Sequence, residues 1–290
     1  MAVGRRPEWL KIRLASNSAY RAVRELIDDK NLHTVCRSAR CPNIGDCWSR
    51  KTATFMILGD VCTRNCRFCA VSKGKVQAPD AEEPHRVAQA VDKLKLRHAV
   101  ITSVTRDDLP DGGSHLFVKT IQEIRKRTPG CSIEVLIPDF QGNMRSLRDV
   151  FEACPDILNH NLEVGPRLYP KARPKADFKA SLEILKRAKE AGLVSKTGIM
   201  VGLGETREEL LDLFTKLAGI GLDILTIGQY LQPTAQNLKV EHFYTPEVFL
   251  ELKRQGEQTG IKHVESGPLV RSSYHANEQI SHVNQRKRIT

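Results

Sequence analysis

Cys62-Thr-Arg-Asn-Cys66-Arg-Phe-Cys69 is the stretch on which the interpretation of this chain depends. It follows a short apolar run, residues 53–58, which Gly59 closes. Cysteines at i, i+4 and i+7 could form the buried stripe of a helix, because protein cores accept cysteine readily. The residues between them are polar, however, and a loop that follows a strand is a common place for ligands. The spacing therefore favours an iron–sulfur cluster or zinc, with the fourth ligand supplied from elsewhere or left open. We call Cys62, Cys66 and Cys69 the CxxxCxxC triplet.

A second set of cysteines lies upstream, at Cys36, Cys41 and Cys47, and we call it the N-terminal triplet. Proline, asparagine, glycine and aspartate lie among its members, so we predict a loop around a second metal centre rather than a helical stripe. Six of the eight cysteines thus fall into two triplets. With no secretory signal at the start, this clustering favours metal ligation over disulfides. The remaining two, Cys131 and Cys154, are predicted core residues.

The composition narrows the class of protein. The chain has 290 residues, and 45 basic against 34 acidic residues give a net charge of +11. This excess indicates an anionic partner such as an acidic protein, an anionic ligand or nucleic acid. A zinc-bearing nucleic-acid-binding protein is therefore one alternative, although the basic residues are spread along predicted helices and few aromatic residues lie among them. No apolar run approaches membrane-spanning length, so we expect a cytoplasmic protein.

Short β-branched runs alternate with amphipathic segments from residue 53 onward. Strands are predicted at 53–58, 99–104, 132–137, 157–162, 196–201 and 224–230. Helices are predicted at 18–29, 83–96, 114–128, 143–152, 175–191, 207–220 and 246–259. The alternation predicts an α/β fold, a partial (β/α)6 TIM-like barrel. We expect three segments: an N-terminal extension at 1–50, the barrel at 51–265, and a C-terminal extension with a basic tail at 266–290.

Polar residues at the carboxyl ends of the predicted strands are candidate ligand contacts, because the chemistry of such barrels lies there. The loop at 105–113 has glycines that allow close approach of a ligand and carboxylates that could meet an ammonium group. A solvated acidic turn is the alternative interpretation of this loop. The candidate cofactor-binding residues at the strand ends are Thr105, Arg106, Asn161, Glu163, Gly202, Gly204 and Gln229.

The CxxxCxxC triplet, with Phe68 before its last cysteine, resembles the signature of the radical S-adenosylmethionine (SAM) superfamily. The N-terminal triplet and the Arg-Ser-Ser-Tyr sequence at 271–274 together resemble the lipoyl synthase family within it, as do the segments 6–10 and 105–113. The likeness extends from about residue 6 to 280. It implies that the expected extensions carry an auxiliary iron–sulfur cluster.

The resemblance implies two [4Fe–4S] clusters and SAM as cofactors. In radical SAM proteins the cysteines of the CxxxCxxC motif bind three irons, SAM chelates the fourth, and reductive cleavage of SAM gives a 5′-deoxyadenosyl radical. The glycine-containing segment at Gly202 and Gly204 is the type of segment that such proteins place against the adenine and ribose. The N-terminal triplet would hold the auxiliary cluster, with a serine of Arg-Ser-Ser-Tyr as its fourth ligand. Either Ser272 or Ser273 could be that ligand, and Ser273 is preferred.

The activity implied is a sulfurtransferase reaction of protein lipoylation. Sulfur would be inserted at C6 and C8 of an octanoyl chain on a lysine, with the auxiliary cluster as the sulfur donor. The expected partners are octanoylated carrier domains, namely glycine cleavage H protein and the E2 subunits of 2-oxoacid dehydrogenases. An electron donor such as ferredoxin or flavodoxin and an iron–sulfur carrier for cluster repair are also implied, whereas nucleic acid and membrane are not. A biotin-synthase-like sulfur inserter is the other radical SAM alternative, but it would lack the N-terminal triplet.

Overall fold

Parallel strands alternating with helices make up both units of the computed structural model, in which residues 6–12, 17–276 and 278–279 are described. The N-terminal unit comprises residues 12–65 and 69–157. The C-terminal unit comprises residues 1–11, 66–68 and 158–290. The predicted basic tail at 286–288 lies outside the described residues. None of the described helices is long and apolar enough to cross a membrane.

The N-terminal unit contains the first six strands and the first six helices. The strands are β1 His33–Thr34, β2 Thr54–Ile57, β3 Val61–Cys62, β4 Ser72–Lys73, β5 His98–Ser103 and β6 Ser132–Leu136. The helices are α1 Ser18–Asp29, α2 Val35–Ser38, α3 Ile44–Ser49, α4 Glu83–Lys93, α5 Ser114–Arg127 and α6 Met144–Glu152. Strands β2, β5 and β6 pair in parallel, and β1 adds to β2 antiparallel. Consequently the segments that follow β5 and β6 leave the sheet at the same edge.

Local sequence signals account for several helix boundaries in this unit. The side chain of Asn17 accepts a hydrogen bond from the main-chain N–H of Tyr20 and begins α1, and Asn143 begins α6 in the same way. Helix α1 ends before Asn31, which has a positive φ of 47°. These starts and stops are those predicted from the sequence.

The C-terminal unit continues the alternation. Its strands are β7 Ile157–Asn159, which begins in the other unit, β8 Val194–Val201, β9 Ile224–Gln229 and β10 His263–Gly267. Its helices are α7 Tyr169–Ala172, α8 Phe178–Glu190, α9 Arg207–Gly219 and α10 Pro246–Gln258. Strands β8, β9 and β10 are parallel neighbours, with Lys196 and His263 both opposite Ile224. The carboxyl ends of these strands therefore carry their following loops on one side.

An apolar core covers one face of these strands, and the opposite face is polar. Leu225 and Ile227 of β9 are fully buried in a cluster with Phe214 of α9 and Phe249 of α10. Because successive side chains of a strand point to opposite faces, Thr226 between them faces the other way. That second face carries mainly polar or small residues, which are Lys196 and Gly198 of β8, Thr226 and Gly228 of β9, and His263 and Glu265 of β10, although the apolar Ile224 and Met200 also lie on it. It is the face on which polar ligands can be bound.

The structure corrects three of the predictions. The predicted strand at 157–162 ends at Asn159, because the main-chain N–H of Leu162 bonds to the Thr197 hydroxyl instead of a strand carbonyl. Strand β10 was not predicted, since its polar sequence lacks apolar alternation. The N-terminal triplet was predicted as a loop, but α2 and α3 contain its first and last cysteines, and the Thr34 hydroxyl accepts from the Arg37 N–H to begin α2.

Candidate active site

The CxxxCxxC triplet begins at the end of a short strand that was not predicted, beyond the predicted strand at 53–58. Cys62 closes β3, which pairs with β4 across the loop, and the chain from Thr63 to Val71 forms no helix or strand. The main-chain N–H of Arg64 donates a hydrogen bond to the Cys62 sulfur over 3.4 Å. None of the eight cysteines forms a disulfide bond. Cys66 and Cys69 therefore lie outside regular structure, where ligand groups are usually found.

The loop at 105–113 uses its carboxylates within the protein. Arg106, only 2% exposed, donates to both oxygens of Asp108 over 2.9 and 2.8 Å, and Asp107 is held by Arg64. Burial acts to raise the pKa of Asp111, but hydrogen bonds from His115 and other groups at the start of α5 outweigh it and lower this pKa to about 2. These ion pairs and hydrogen bonds hold the loop in one conformation after β5.

The two glycines of that loop are required by internal packing. Gly112 and Gly113 have φ of 62° and 87°, which only glycine adopts without strain. A Cβ on Gly113 would lie 2.4 Å from Leu58, and one on Gly112 would lie 2.9 Å from Phe140. The glycines thus let the loop pack against neighbouring side chains, a role that their prediction as ligand-facing residues did not include.

The thiols of the N-terminal triplet lie near one another. Burial, followed by the neighbouring Cys41 thiol, raises the pKa of Cys36 to about 11. Burial and then both neighbouring thiols raise the pKa of Cys47 to about 12. The neighbouring side chain of the fully buried Trp48 acts on the pKa of Cys36 in the opposite sense. Thiols with a raised pKa stay protonated in the absence of a cation, and they lose their protons when a metal binds. Because thiolates are soft ligands, a group of them is suited to an iron centre.

No ligand geometry is preformed in the described part of the chain. Among residues 6–12, 17–276 and 278–279, no group of three or more His, Cys, Asp or Glu side chains is arranged to hold a metal ion. The donor chemistry of both triplets nevertheless fits an iron–sulfur cluster, since each offers three cysteines outside any disulfide bond and iron–sulfur clusters are held by thiolates. The assignment of individual ligands stays a prediction.

Asn161 and Glu163 lie together beyond the end of β7, within the C-terminal unit. The Asn161 amide donates to the Ser272 hydroxyl over 3.4 Å, and its carbonyl oxygen is buried without a hydrogen bond from the described residues. Glu163 adopts a positive φ of 70°; burial raises the pKa of its carboxyl, while Arg173 and Arg271 act against that rise. A buried acceptor beside a carboxylate is suited to a ligand that carries hydroxyl or ammonium donors.

Gln229 and Gly202, also predicted to contact the cofactor, are engaged by the protein itself. The fully buried Gln229 amide donates to three main-chain carbonyls, those of Val201, Tyr230 and His242, and accepts from the Tyr244 N–H. A Cβ on Gly202 would lie 2.2 Å from the Gln229 amide nitrogen. These contacts fix the segment that follows β8.

Gly204 and Thr105 are the remaining candidates. Gly204 is exposed at a φ of 101°, and its carbonyl accepts from Arg167 over 2.6 Å. The carbonyl of Thr105 accepts from both the main chain and the hydroxyl of Thr63, each over 3.0 Å. Thr105 therefore helps to hold the loop of the CxxxCxxC triplet.

The Arg-Ser-Ser-Tyr sequence forms a turn that follows β10. The Tyr274 N–H donates to the Arg271 carbonyl over 2.9 Å and closes the turn that contains Ser272 and Ser273. Val270, just before it, is anchored by its N–H to the Gly267 carbonyl over 3.1 Å. The contact from Asn161 reaches Ser272, so the structure distinguishes the environments of the two serines.

Some charged residues near these sites were not singled out in the sequence. Arg64 and Asp139 form a buried ion pair, and Arg173 donates to the main-chain carbonyl of Asn161 over 2.8 Å and to the Tyr169 hydroxyl over 2.7 Å. Arg64 lies between two cysteines of the CxxxCxxC triplet, and this position could have identified it as a site residue from the sequence. Nothing in the sequence around Arg173 or Asp139 marks them. Cys154, predicted in the core, is exposed at a turn with a φ of 53°, whereas Cys131 is buried as predicted.

Comparison with known proteins gives consistent matches. A family model described as the Radical SAM superfamily matches residues 56–217. The lipoyl synthase of Rubrobacter xylanophilus is 56% identical over 276 residues, covering 94% of this chain and 86% of that protein. The lipoyl synthase of Caldanaerobacter subterraneus subsp. tengcongensis is 54% identical over 279 residues, covering 96% of this chain and 98% of that protein.

A solved structure supports the fold. The crystal structure of methylornithine synthase superposes with a TM-score of 0.55 at 17% identity, covering 69% of this chain and 61% of that chain. This likeness concerns the fold alone. With the family match, it confirms the predicted α/β fold of the partial-barrel type. The predicted division at residues 50 and 265, and a cluster carried by the extensions, stay predictions.

Proposed function

The chain belongs to the lipoyl synthase family of the radical SAM superfamily, and we propose that Cys62, Cys66 and Cys69 hold the [4Fe–4S] cluster that this superfamily uses with SAM. It is a sulfurtransferase that inserts sulfur into an octanoylated protein. When bound, the cluster and SAM supply a 5′-deoxyadenosyl radical able to abstract hydrogen from an unactivated carbon. The protein's part is to bind, orient and exclude water.

Asn161 and Glu163 are proposed to bind SAM, together with residues of the other strand ends. The buried carbonyl oxygen of Asn161 can accept from a ligand hydroxyl, and the Glu163 carboxylate can accept from a hydroxyl or an ammonium group. The other proposed contacts are Thr105, Arg106, Gly202, Gly204 and Gln229. Of these, Arg106 and Gln229 are fixed by bonds within the protein, so their proposed role is to shape the site.

We propose that the N-terminal triplet holds a second, auxiliary [4Fe–4S] cluster that is the sulfur source for C6 and C8 of the octanoyl chain. The observation that carries this proposal is the grouping of three buried or half-buried thiols, where burial and neighbouring thiols raise the pKa of Cys36 and Cys47. Ser273, or in its place Ser272, is the proposed fourth ligand on the family resemblance. A hard alkoxide ligand is weakly matched to soft iron–sulfur ligation, so a cluster bound in this way is easily taken apart.

The partners are proposed from the same reaction. Octanoylated carrier domains, such as glycine cleavage H protein or the E2 subunits of 2-oxoacid dehydrogenases, would present the lysine-bound chain. The net charge of +11 supports docking of an acidic carrier. A ferredoxin or flavodoxin would deliver electrons, and an iron–sulfur carrier would rebuild the auxiliary cluster. We propose that the reaction takes place in the cytoplasm, without nucleic acid or membrane.

Anaerobic incubation with SAM, reductant and an octanoyl-lysyl peptide tests this function. The expected product is a lipoyl peptide detected by mass spectrometry, together with 5′-deoxyadenosine. Labelling the clusters with sulfur-34 before the assay should place the heavy isotope in the product, at no more than one lipoyl group per protein. Unlabelled product sulfur, or many turnovers without a repair factor, would contradict the role of the auxiliary cluster.

A further inference from the structure

We propose that Arg64 is a positioning residue that tunes the cluster of the CxxxCxxC triplet by holding its own main-chain N–H against the Cys62 sulfur. This inference rests on the proposed function, because it assumes that Cys62 is a cluster ligand. It concerns the reduction potential, which decides how readily the cluster accepts the electron needed for SAM cleavage.

The side chain of Arg64 is bound by two carboxylates at once. Its guanidinium donates to Asp107 from Nε over 2.8 Å and from Nη2 over 2.9 Å. It also donates to Asp139 from Nη1 and from Nη2, both over 2.6 Å. All three guanidinium nitrogens are therefore used, and the side chain is only 5% exposed. Two bidentate contacts on one planar group fix its orientation as well as its position. We call Arg64, Asp107 and Asp139 the arginine clamp.

Both carboxylates of the arginine clamp are themselves held in place. Asp139 accepts from the Gln141 N–H over 2.9 Å, within a turn in which Phe140 and Gln141 have positive φ of 45° and 53°. The Asp107 N–H donates to the Thr63 hydroxyl over 3.0 Å. The clamp thus ties the first part of the cysteine loop to the segments that follow β5 and β6, all within the N-terminal unit.

Cys62 is affected by the clamp because Arg64 lies only two positions after it in the chain. The held guanidinium tethers the main chain of Arg64, whose N–H donates to the Cys62 sulfur over 3.4 Å. Hydrogen bonds to ligand sulfurs are among the factors that set iron–sulfur potentials. Such a bond stabilises the more negative, reduced cluster and so raises the potential. The three side chains of the clamp together carry a net negative charge, since two carboxylates face one guanidinium, and that charge acts in the opposite direction.

Two variants separate the hydrogen bond from the charge. Arg64→Lys keeps the positive charge but loses the fork that binds both carboxylates. Asp139→Asn removes a negative charge, which by itself would raise the potential, but it also breaks half of the clamp. If the clamp acts through the N–H···S bond, both variants should lower the equilibrium constant for one-electron reduction of the cluster at least tenfold. This corresponds to a reduction potential that is lower by about 59 mV for a one-electron couple.

The measurement is a redox titration of the complete enzyme with both clusters, followed by electron paramagnetic resonance. The cluster in question is identified as the one whose signal changes when SAM is added. Arg125→Lys is the matched control, because Arg125 also pairs with a carboxylate over 2.6 Å in the same unit, but at the start of β6. The control should leave the potential unchanged.

An unchanged or raised potential in Asp139→Asn overturns the inference, and so does an unchanged potential in Arg64→Lys. If Arg64→Lys does not fold, Asp139→Asn decides the question alone by the sign of its effect. Absence of any SAM-responsive cluster in the wild-type enzyme would instead refute the proposed function. The two failures are therefore distinguishable.

Discussion

Gly228→Ala is predicted to displace the Arg-Ser-Ser-Tyr turn. Gly228 lies in β9, where the chain just before the turn passes directly over it. A Cβ at this position would lie 2.0 Å from the carbonyl oxygen of Val270 and 3.1 Å from Nη1 of Arg271. Both obstructing groups belong to the segment that leads into Ser272 and Ser273. Alanine can therefore be accommodated only if this segment moves.

The size of the movement can be worked out from the contact distance. An ordinary contact requires at least 3.4 Å, so the Val270 carbonyl must retreat by about 1.4 Å. It cannot do so freely, because it accepts from Arg271 over 2.6 Å and its residue is anchored to Gly267. Overpacking of this kind costs about 1–3 kcal/mol, which leaves the protein folded. A misplacement of about 1 Å can reduce a rate about 100-fold, so we expect at least that loss of lipoyl product.

The assay compares two products of the same anaerobic reaction. Lipoyl peptide reports on sulfur insertion, and 5′-deoxyadenosine reports on SAM cleavage. We expect the first to fall much further than the second, and iron to be lost faster from the auxiliary cluster under a chelator. Gly219→Ala is the matched control, because Gly219 ends helix α9 and a Cβ added there would have no atom within 4 Å, so this variant should behave as wild type.

A wild-type yield of lipoyl peptide from Gly228→Ala would refute this reasoning. So would an equal loss of both products, because it would place the effect in SAM cleavage rather than in the turn. Loss of folding is checked by measuring urea unfolding of both glycine variants.

The remaining predictions concern the two triplets and one buried carboxylate. Alanine at any member of the CxxxCxxC triplet should abolish 5′-deoxyadenosine formation, and a variant that retains the wild-type rate would contradict the assignment. Alanine at any member of the N-terminal triplet should leave 5′-deoxyadenosine formation intact but give no thiolated product. Lipoyl peptide from such a variant would show that the triplet has a structural role and is not the sulfur source. Asp223→Ala should lower the free energy of unfolding by about 1–3 kcal/mol at pH 7, because it leaves the buried Ser195 N–H without its acceptor and removes the carboxylate that Lys189 and Lys262 both contact over 2.7 Å. Burial acts to raise the pKa of Asp223, but these lysines hold that pKa below 3.8. The stability that the ionised Asp223 contributes is therefore complete above pH 3.8 and declines as the pH falls below it. Urea unfolding of wild type and variant between pH 7 and pH 3 measures the contribution of Asp223 to stability. Equal stabilities of the two proteins at pH 7 would contradict the prediction.

The sequence by itself determined the spacing of the cysteines and most of the secondary structure. Cysteine spacing is a covalent property of the chain, so both triplets could be identified without a structure. Helix boundaries also follow from neighbours in sequence: the Thr206 hydroxyl and the Glu209 side chain form a capping box that begins α9. Alternation of apolar strands and amphipathic helices then fixed the α/β class.

The tertiary structure decided which polar groups meet. Arg64 bonds to Asp139, which is 75 positions away, and Asn161 contacts Ser272, which is 111 positions away. Neither pairing leaves a local pattern, because a polar residue can be satisfied by water or by many partners until folding selects one. The sequence also does not show why position 228 requires glycine, since the reason is the Val270 carbonyl, which packs against it in the folded chain. Strand β10 was missed for a related reason: its polar residues occupy a sheet face that is polar, so burial and hydrogen bonding rather than apolar alternation define it.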